Sequence, residues 1–349
     1  MALPAKPFQN LHIPSVPPKG FDPLNASNEA LARYGLPTQP EKANYPRQHA
    51  QWEKLMSRPL TFISPEFDFI ERNVDRTEPV ISPETRLTLQ HYWGRPVTSR
   101  IWSGAVNTPF RCGDKFKYIS ATWAVPKAYP PNSQWTGTGW KSPSPYQYSC
   151  GIWIGIDGFH SSHDVLQAGT GQRCHVTKDG QLIQETLAWF EWYPQQAYFF
   201  KNFVVESGDE VVVIIQHTPS KTNSLASKAS LTFINESKCT YTATSMDYTA
   251  TSVDKVFKGD TAEWIVEGHI HTNKNGSKES TMPYIGTTFM NDCLATTEGG
   301  DERNLGGAKM IDLILGGLKS FGVKENDNLL GVYPRWRVGN LLEIKEAGV

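Results

Sequence analysis

The sequence has few cysteines, no long hydrophobic run and no excess of charge of either sign. Its 349 residues include five scattered cysteines without a CxxC pair, so a zinc site built on cysteine is not expected. The odd number leaves at least one thiol free, and one or two disulfides stay open. The longest aliphatic run, residues 211–215, is far too short to span a membrane. Lys and Arg number 34 against 35 Asp and Glu, so we expect neither nucleic acid nor a membrane as partner.

Motifs of several enzyme classes are also missing. The sequence has no GxSxG elbow, no Walker loop and no HExxH pair. His269 and His271 stand two apart and could be combined with His160 and His163 as metal ligands, but no known spacing supports such a site. We therefore expect no metal and no cofactor. The first twenty residues lack the apolar core of a secretory signal, so the sequence by itself predicts a cytoplasmic protein.

Aromatic residues are what the sequence has in abundance, with 11 Trp, 13 Tyr and 16 Phe. Such residues favour β-strands and also line binding clefts. Hydrophobic residues make up 39% of the chain, which is enough to bury a sizeable core. The length suggests one large domain or two smaller ones.

Residues 1–95 differ in composition from the rest of the chain and are predicted to form a Pro-rich N-terminal extension. Nine prolines fall within the first fifty residues and interrupt regular structure. A short helix is predicted over residues 28–34, with Ser27 as its N-cap and Gly35 after its end, and a second over residues 48–56. The extension is either an arm wrapped on the main domain or a propeptide-like cover over its cleft.

Residues 96–345 are predicted to form an all-β domain. Strand-like runs recur there with turn signals between them, which is typical of an antiparallel sandwich or barrel. The predicted strands cover residues 116–125, 151–157, 186–193, 197–205, 210–216, 229–234, 261–268, 284–290, 308–315 and 330–338. Residues 127–149 and 217–228 are instead predicted to be loops, because they are rich in small and polar residues.

Two glutamates in predicted strands are candidates for chemistry. Alternation along residues 261–267 places Glu263 on one face and Trp264 on the other, the core face, so Glu263 could line a partly dry concave surface. The alternative is a solvated glutamate on an outer face. Glu191 shares a face with Trp189, and a carboxylate among aromatic rings loses hydration. Its alternative is a structural glutamate bonded to an indole or a phenol.

A third candidate segment begins at residue 151 with the letters GIWIGIDG. Gly155 could allow a close approach by a backbone or a substrate, and Asp157 followed by Gly158 suits a hairpin turn. Gln167 follows ten residues after Asp157. A single glutamine is usually a surface amide.

The sequences of these segments, and their order along the chain, resemble those of the glutamic peptidase (eqolisin) family. The matching segments are SRIWSGAV (99–106), ISATWAVP (119–126), WIGIDG (153–158), LQAG (166–169), AWFEWYP (188–194), AEWIVE (262–267), TFMNDCLAT (288–296) and MIDL (310–313). The resemblance implies a concanavalin-like antiparallel β-sandwich of the jelly-roll type. It also implies that Gln167 and Glu263 form the catalytic pair. The side chains expected to bind substrate or support the site are Trp153, Asp157, Glu191, Trp189 and Trp102. One departure is Leu187, where the family often has Asp.

The function implied is an endopeptidase that works at acidic pH, is insensitive to pepstatin and uses a glutamate as general base. Its substrates would be peptides or proteins, and we expect a monomer. By resemblance the protein would be secreted, in contrast to the location that the sequence itself predicts. Two alternatives stay open. One is an inactive lectin-like binding protein, and the other is a glycan-active enzyme with Glu191 and Glu263 as its carboxylate pair.

Overall fold

The computed structural model describes residues 10–69, 97–99, 101–144, 147–159, 164–252, 256–272, 278–314, 331–338 and 341–347. Strands dominate this part of the chain. The elements of the extension and the first strands after it are β1 Leu11–His12, α1 Asn28–Arg33, α2 Pro46–Met56, β2 Thr61–Phe62, β3 Phe67–Phe69, β4 Val97–Ser99 and β5 Trp102–Asn107. Short 3-10 helices lie at Pro23–Asn25 and Asn132–Gln134.

The remaining strands follow with only short connections between most of them. They are β6 Phe116–Ala124, β7 Tyr148–Ile156, β8 Val165–Val176, β9 Leu182–Tyr193, β10 Tyr198–Phe200, β11 Glu210–Pro219, β12 Ala226–Asn235 and β13 Thr240–Thr249. After these come β14 Ala262–Gly268, β15 Ile270–Thr272, β16 Lys278–Ser280, β17 Thr287–Thr297, β18 Glu302–Arg303, β19 Lys309–Ile314, β20 Gly331–Val338 and β21 Leu341–Ala347.

The strands form two antiparallel layers that face each other. The front sheet has the order β3-β10-β9-β8-β7-β14-β5-β19. The back sheet has the order β21-β17-β6-β11-β12-β13. The β20–β21 hairpin joins them at one edge, because β20 also pairs with β19. The all-β sandwich predicted from the sequence is confirmed.

The main core fills the space between the two sheets. Trp264 from the front sheet and Trp123 from the back sheet are fully buried there. Their indole nitrogens cross the layer, one donating to the Ser120 carbonyl at 3.1 Å and the other to the Thr170 hydroxyl at 3.0 Å. Each large apolar side chain buried in this way stabilises the fold by about 1.5–3 kcal/mol. The inner face of the front sheet is thus packed against the back sheet, and the side chains on its outer face take no part in this core.

The two helices of the N-terminal extension pack against the outer face of the back sheet, whereas β3 forms the edge strand of the front sheet beside β10. Leu31 of α1 and Trp52 of α2 share a buried cluster there with Tyr118, Val212 and other back-sheet residues. Both predicted helices are confirmed within two residues, including the N-cap at Ser27, whose hydroxyl accepts from the Ala30 N–H. In this position α1 and α2 lie on the far side of the sandwich from the outer face of the front sheet.

Two predictions about the β-domain are wrong in detail. The loop predicted over residues 217–228 is confined to residues 220–225, because β11 extends to Pro219 and β12 begins at Ala226, and their ladder pairs Thr218 with Lys228. Backbone pairing across the hairpin thus overrides the polar side chains. Residues 197–205 contain only the three-residue strand β10.

Two other features of the chain bear on expectations from composition. None of the five cysteines is joined in a disulfide, so the one or two disulfides left open by the sequence are not formed. Among the described residues, no helix combines the length and apolar character needed to cross a membrane.

Candidate active site

A row of four residues crosses the front sheet on its outer face. Glu263 of β14 lies opposite Gly155 of β7, Gly155 lies opposite Gln167 of β8, and Gln167 lies opposite Glu191 of β9. Directly opposed residues in antiparallel strands project to the same face. The Cα atoms of Glu263 and Gln167 are therefore about 9–10 Å apart, two strand spacings, with only a glycine between them.

Strand alternation explains why these polar groups face away from the core. Trp264 and Val266 belong to the core between the sheets, whereas Ile265 belongs to a second cluster on the outer face. That outer cluster also contains Trp102, Trp153 and Trp189, and these side chains are all buried. The polar residues of the row consequently stand among aromatic and aliphatic groups, where electrostatic interactions are stronger than in water.

The amide of Gln167 is held in one orientation. Its Nε2 atom donates to Oε2 of Glu191 at 2.8 Å, and both side chains are buried. A carboxylate only accepts, so it selects the NH₂ end of the amide. The other end, Oε1 of Gln167, is buried and has no hydrogen-bond partner within the described residues.

The carboxyl group of Glu263 is fully buried, and neither of its oxygens forms a hydrogen bond of ordinary geometry within the described residues. Burial raises its pKa well above the usual value of 4.5, and the carboxylates of Asp157 and Asp260 raise it further. The Thr261 hydroxyl lies near enough to oppose this effect in part. An acidic working range, as the resemblance implies, requires hydrogen bonds to the charged form, and among the described side chains the Thr261 hydroxyl is the one that lowers the pKa of Glu263.

Trp153 lies along β7 on the outer face. A Cβ atom placed on Gly155 would be 2.8 Å from Cζ3 of its ring, and one placed on Gly151 would be 3.4 Å from Cδ1, so the indole spans both glycines. Its Nε1 donates to Oε2 of Glu267 at 2.9 Å, and Trp102 packs edge-on against it with ring centroids 4.9 Å apart. Alternation along β14 places Glu267 on the same face as Glu263. The bond to Trp153 cannot be read from that alternation, because it depends on the register of β7 and β14.

Asp157 stands apart from the row. It follows the last residue of β7 with a φ of 71°, and its carboxylate accepts backbone N–H bonds from residues 258, 259 and 260 at 2.8–2.9 Å. The two-residue hairpin turn expected at Asp157 and Gly158 is not formed, because residues 157–164 separate β7 from β8. The carboxylate of Asp157 is instead buried and holds the loop that leads into β14. Asp157 thus acts on Glu263 through that loop and through its charge.

The structure brings six of the seven candidate side chains to one face, namely Trp102, Trp153, Gln167, Trp189, Glu191 and Glu263. Glu191 and Glu263 are three strand spacings apart, about 14 Å between Cα atoms, with Gln167 between them. A retaining glycosidase needs two carboxyls about 5–5.5 Å apart with a clear space between them. The row therefore favours an acid–amide pair over a pair of acids.

Leu187 departs from the family pattern in a way that the structure explains locally. It lies opposite Gly171, and a Cβ atom on that glycine would be 3.2 Å from its Cδ1 atom. The leucine covers the glycine and continues the apolar surface beside Trp189. At position 187 an apolar side chain that packs on Gly171 thus stands in place of an ionisable aspartate.

The described residues contain no group of three His, Cys, Asp or Glu side chains that could hold a metal ion. Two of the four histidines considered from the sequence, His160 and His163, lie outside the described residues. His269 instead forms a 2.7 Å hydrogen bond with the Ser149 hydroxyl.

Comparison with known proteins gives matches over much of the chain. The model of a family described as the peptidase A4 family matches residues 100–327, more than half of the 349. Aspergillopepsin-2 of Aspergillus niger is 31% identical over 180 residues, which cover 48% of this chain and 55% of that protein. Scytalidopepsin B of Scytalidium lignicola is 26% identical over 224 residues, covering 61% of this chain and 70% of that protein. A crystal structure of scytalido-glutamic peptidase with a transition state analog inhibitor aligns with a TM-score of 0.46 and 21% identity, covering 71% of this chain and 98% of that one.

Proposed function

The chain belongs to the peptidase A4 family, and on that premise we propose that it is an endopeptidase in which Glu263 is the general base and Gln167 stabilises the oxyanion. The observation that carries the proposal is the row in which these two side chains flank Gly155 on one face of the front sheet. Gly155 adds no side chain between them, and the ring of Trp153 covers it. In this proposal a water molecule and a peptide carbonyl reach both groups above that ring.

The reaction divides between the two residues. The ionised Glu263 carboxylate takes a proton from a water molecule, whose oxygen attacks the peptide carbonyl carbon to form a tetrahedral intermediate. The second N–H of the Gln167 amide, the one not donated to Glu191, can donate to the negative oxygen that develops. Glu263 then gives its proton to the leaving amine as the C–N bond breaks, which regenerates the carboxylate.

The amide partner has an electrostatic consequence. Two carboxyl groups that share a site must also share a proton, because both cannot be ionised at close range. Gln167 is neutral at every pH, so the state of the pair depends on Glu263 alone. Pepstatin is therefore not expected to inhibit, since the proposed mechanism has no pair of aspartates.

The buried surroundings of Glu263 set the pH range of the proposal. The raised pKa of this carboxyl leaves it protonated, and unable to act as a base, in strongly acidic solution. We propose a working range that begins above the ordinary glutamate pKa of 4.5 and extends towards neutrality. A markedly acidic optimum would require a donor to Glu263 that binding of the substrate brings.

The direct test is hydrolysis of a denatured protein between pH 3 and pH 8, with and without pepstatin, by the wild-type chain and by Glu263→Gln. We expect cleavage by the wild type that resists pepstatin, and none by the variant. If the wild type binds the substrate without cleaving it at any pH, the alternative of an inactive binding protein replaces the proposal. Strong inhibition by pepstatin would contradict the acid–amide mechanism.

A further inference from the structure

We propose that Glu267 is a positioning residue for the reaction and acts by fixing the indole of Trp153 between the catalytic acid and the amide. This inference rests on the proposed function. Glu267 lies on the same strand and the same face as Glu263, four residues further on, and is itself 5% exposed. Its carboxylate accepts the Trp153 Nε1–H at 2.9 Å, and Trp153 is fully buried.

The position of the indole makes this bond relevant to the row. The six-membered ring of Trp153 comes within 2.8 Å and 3.3 Å of the place that a Cβ on Gly155 would occupy. Gly155 is the residue between Glu263 and Gln167. The ring therefore occupies the space that a side chain of the row would otherwise fill, and it forms one boundary of the gap across which the two groups face each other.

Packing encloses the ring in apolar groups, and Glu267 supplies the polar anchor. Trp102 meets the indole edge-on, and Trp189 lies against Gly151, the glycine under the five-membered ring. These contacts are apolar and leave the indole N–H to be satisfied by Glu267. If that acceptor is removed, a buried N–H is left unpaired, which favours rotation of the ring towards another partner or towards water.

Rotation of the ring would affect catalysis more than binding. Water entering beside Gly155 would weaken the electrostatic interactions of Glu263 and Gln167 and loosen their spacing. In the proposed function an extended peptide would make contacts along the outer face beyond Trp153, so the loss of one contact should change its affinity little. We therefore expect kcat to fall and KM to stay nearly constant.

The test compares Glu267→Met, which keeps the length of the side chain but removes the strong acceptor, with Glu267→Gln, which keeps an acceptor oxygen. For Glu267→Met we expect kcat to fall on the order of tenfold to a hundredfold, with KM within about threefold of wild type. For Glu267→Gln we expect at least a third of the wild-type kcat. Glu298→Met, at an exposed turn, is the matched control and should be unchanged.

An independent measurement follows the indole itself. In a Trp-labelled sample, the Nε1–H resonance of Trp153, assigned with Trp153→Phe, should be shifted by its charge-assisted bond to Glu267. We expect it to move in Glu267→Met and to change much less in Glu267→Gln. Trp135→Phe, which removes a half-exposed indole in a loop, controls the assignment.

The outcomes separate this inference from the proposed function. Full activity of Glu267→Met, with wild-type hydrolysis intact, would overturn the positioning role alone. Equal loss in Glu267→Gln and Glu267→Met would also overturn it, because the negative charge and not the acceptor would then matter. An inactive wild type would overturn the proposed function together with any rate effect of Glu267, whatever the indole resonance shows.

Discussion

The amide nitrogen of Gln167 lies 2.8 Å from the carboxylate of Glu191, and this bond decides which end of the amide is available to a substrate. Amide orientation usually has to be inferred from a network of partners. Here a single buried acceptor settles it, because an ionised carboxylate cannot bond to the amide oxygen. In the proposed mechanism Glu191 would thereby act on the reaction through Gln167.

Replacing Glu191 with glutamine should allow the side-chain amide of Gln167 to flip. A glutamine at position 191 can donate to Oε1 of Gln167 as well as accept from its Nε2. We expect Glu191→Gln to lower kcat about tenfold or more and to leave KM nearly unchanged, because the oxyanion would meet a carbonyl oxygen in part of the molecules. Steady-state kinetics on a fluorogenic peptide measure this. Unchanged kcat would show that the 2.8 Å bond does not orient the amide.

Removing the Gln167 amide should be more damaging. Gln167→Ala takes away the proposed oxyanion donor, which typically lowers kcat by about 10²–10³. Gln181→Ala, at an exposed turn, is the control and should keep wild-type kinetics. If Gln167→Ala retains most of its kcat while its thermal midpoint is unchanged, the oxyanion is stabilised by another group.

Glu263→Gln should abolish turnover and at the same time stabilise the fold at neutral pH. The folded-state pKa of Glu263 is raised, so the folded chain binds an extra proton between pH 4.5 and that raised pKa, and stability is lost as the pH rises through this window. An amide avoids the penalty, which amounts to about 1.4 kcal/mol for each pKa unit of the shift. Thermal scans at pH 4 and pH 7 should show a gain only at the higher pH. A loss of stability at pH 7 would mean that the ionised carboxylate is well solvated or paired in the folded chain.

The acid limb of the pH–rate profile should report the same carboxyl group. We expect kcat/KM to decline as the pH falls through a value above 4.5. Thr261→Val removes the hydroxyl that lowers the pKa of Glu263 and should move the limb to still higher pH. A wild-type rate that stays constant down to pH 3 would contradict the assignment of a buried, poorly hydrogen-bonded base.

The extension should contribute to stability without contributing to the chemistry. Trp52 is 3% exposed against the back sheet, so Trp52→Ala should reduce the free energy of unfolding by about 3–5 kcal/mol. The rate per folded molecule should not change, because Trp52 lies on the far side of the sandwich from Glu263. Urea unfolding and active-site titration measure the two effects. A faster enzyme at unchanged stability would instead indicate that these residues restrain the cleft.

Much of the fold could be predicted because its signals are local. The N-cap at Ser27 and the alternation around Glu263 are properties of a few consecutive residues, and both are confirmed. The resemblance to the glutamic peptidases is confirmed by the family model. The sequence pattern does not predict the strand β13, because five of its ten residues are Thr or Ser, and part of its pairing comes from β1 and β2, far away along the chain.

The site could be predicted only in part, for a similar reason. Alternation places Glu263 and Glu267 on one face, but only the register of β7, β8 and β9 brings Gln167 into the row and Trp153 to Glu267. Register depends on pairing between distant segments, so it cannot be predicted from the residues of a single strand. The same limit explains why the donors to Asp157, which come from residues 258–260, could not be foreseen.

The pairing of β1 and β2 with β13 has a consequence for how the molecule behaves in a crowded solution. A strand of ten residues at the margin of a sheet offers its unpaired N–H and C=O groups to other chains. Here β2 pairs with Thr240 and Tyr241, and β1 pairs with Ser245 and Met246. The hydroxyls of Thr242 and Thr244, which lie between these two pairings on β13, donate to backbone carbonyls of the extension. Proteolytic loss of the extension would uncover this margin, and the trimmed protein should then assemble strand to strand into aggregates.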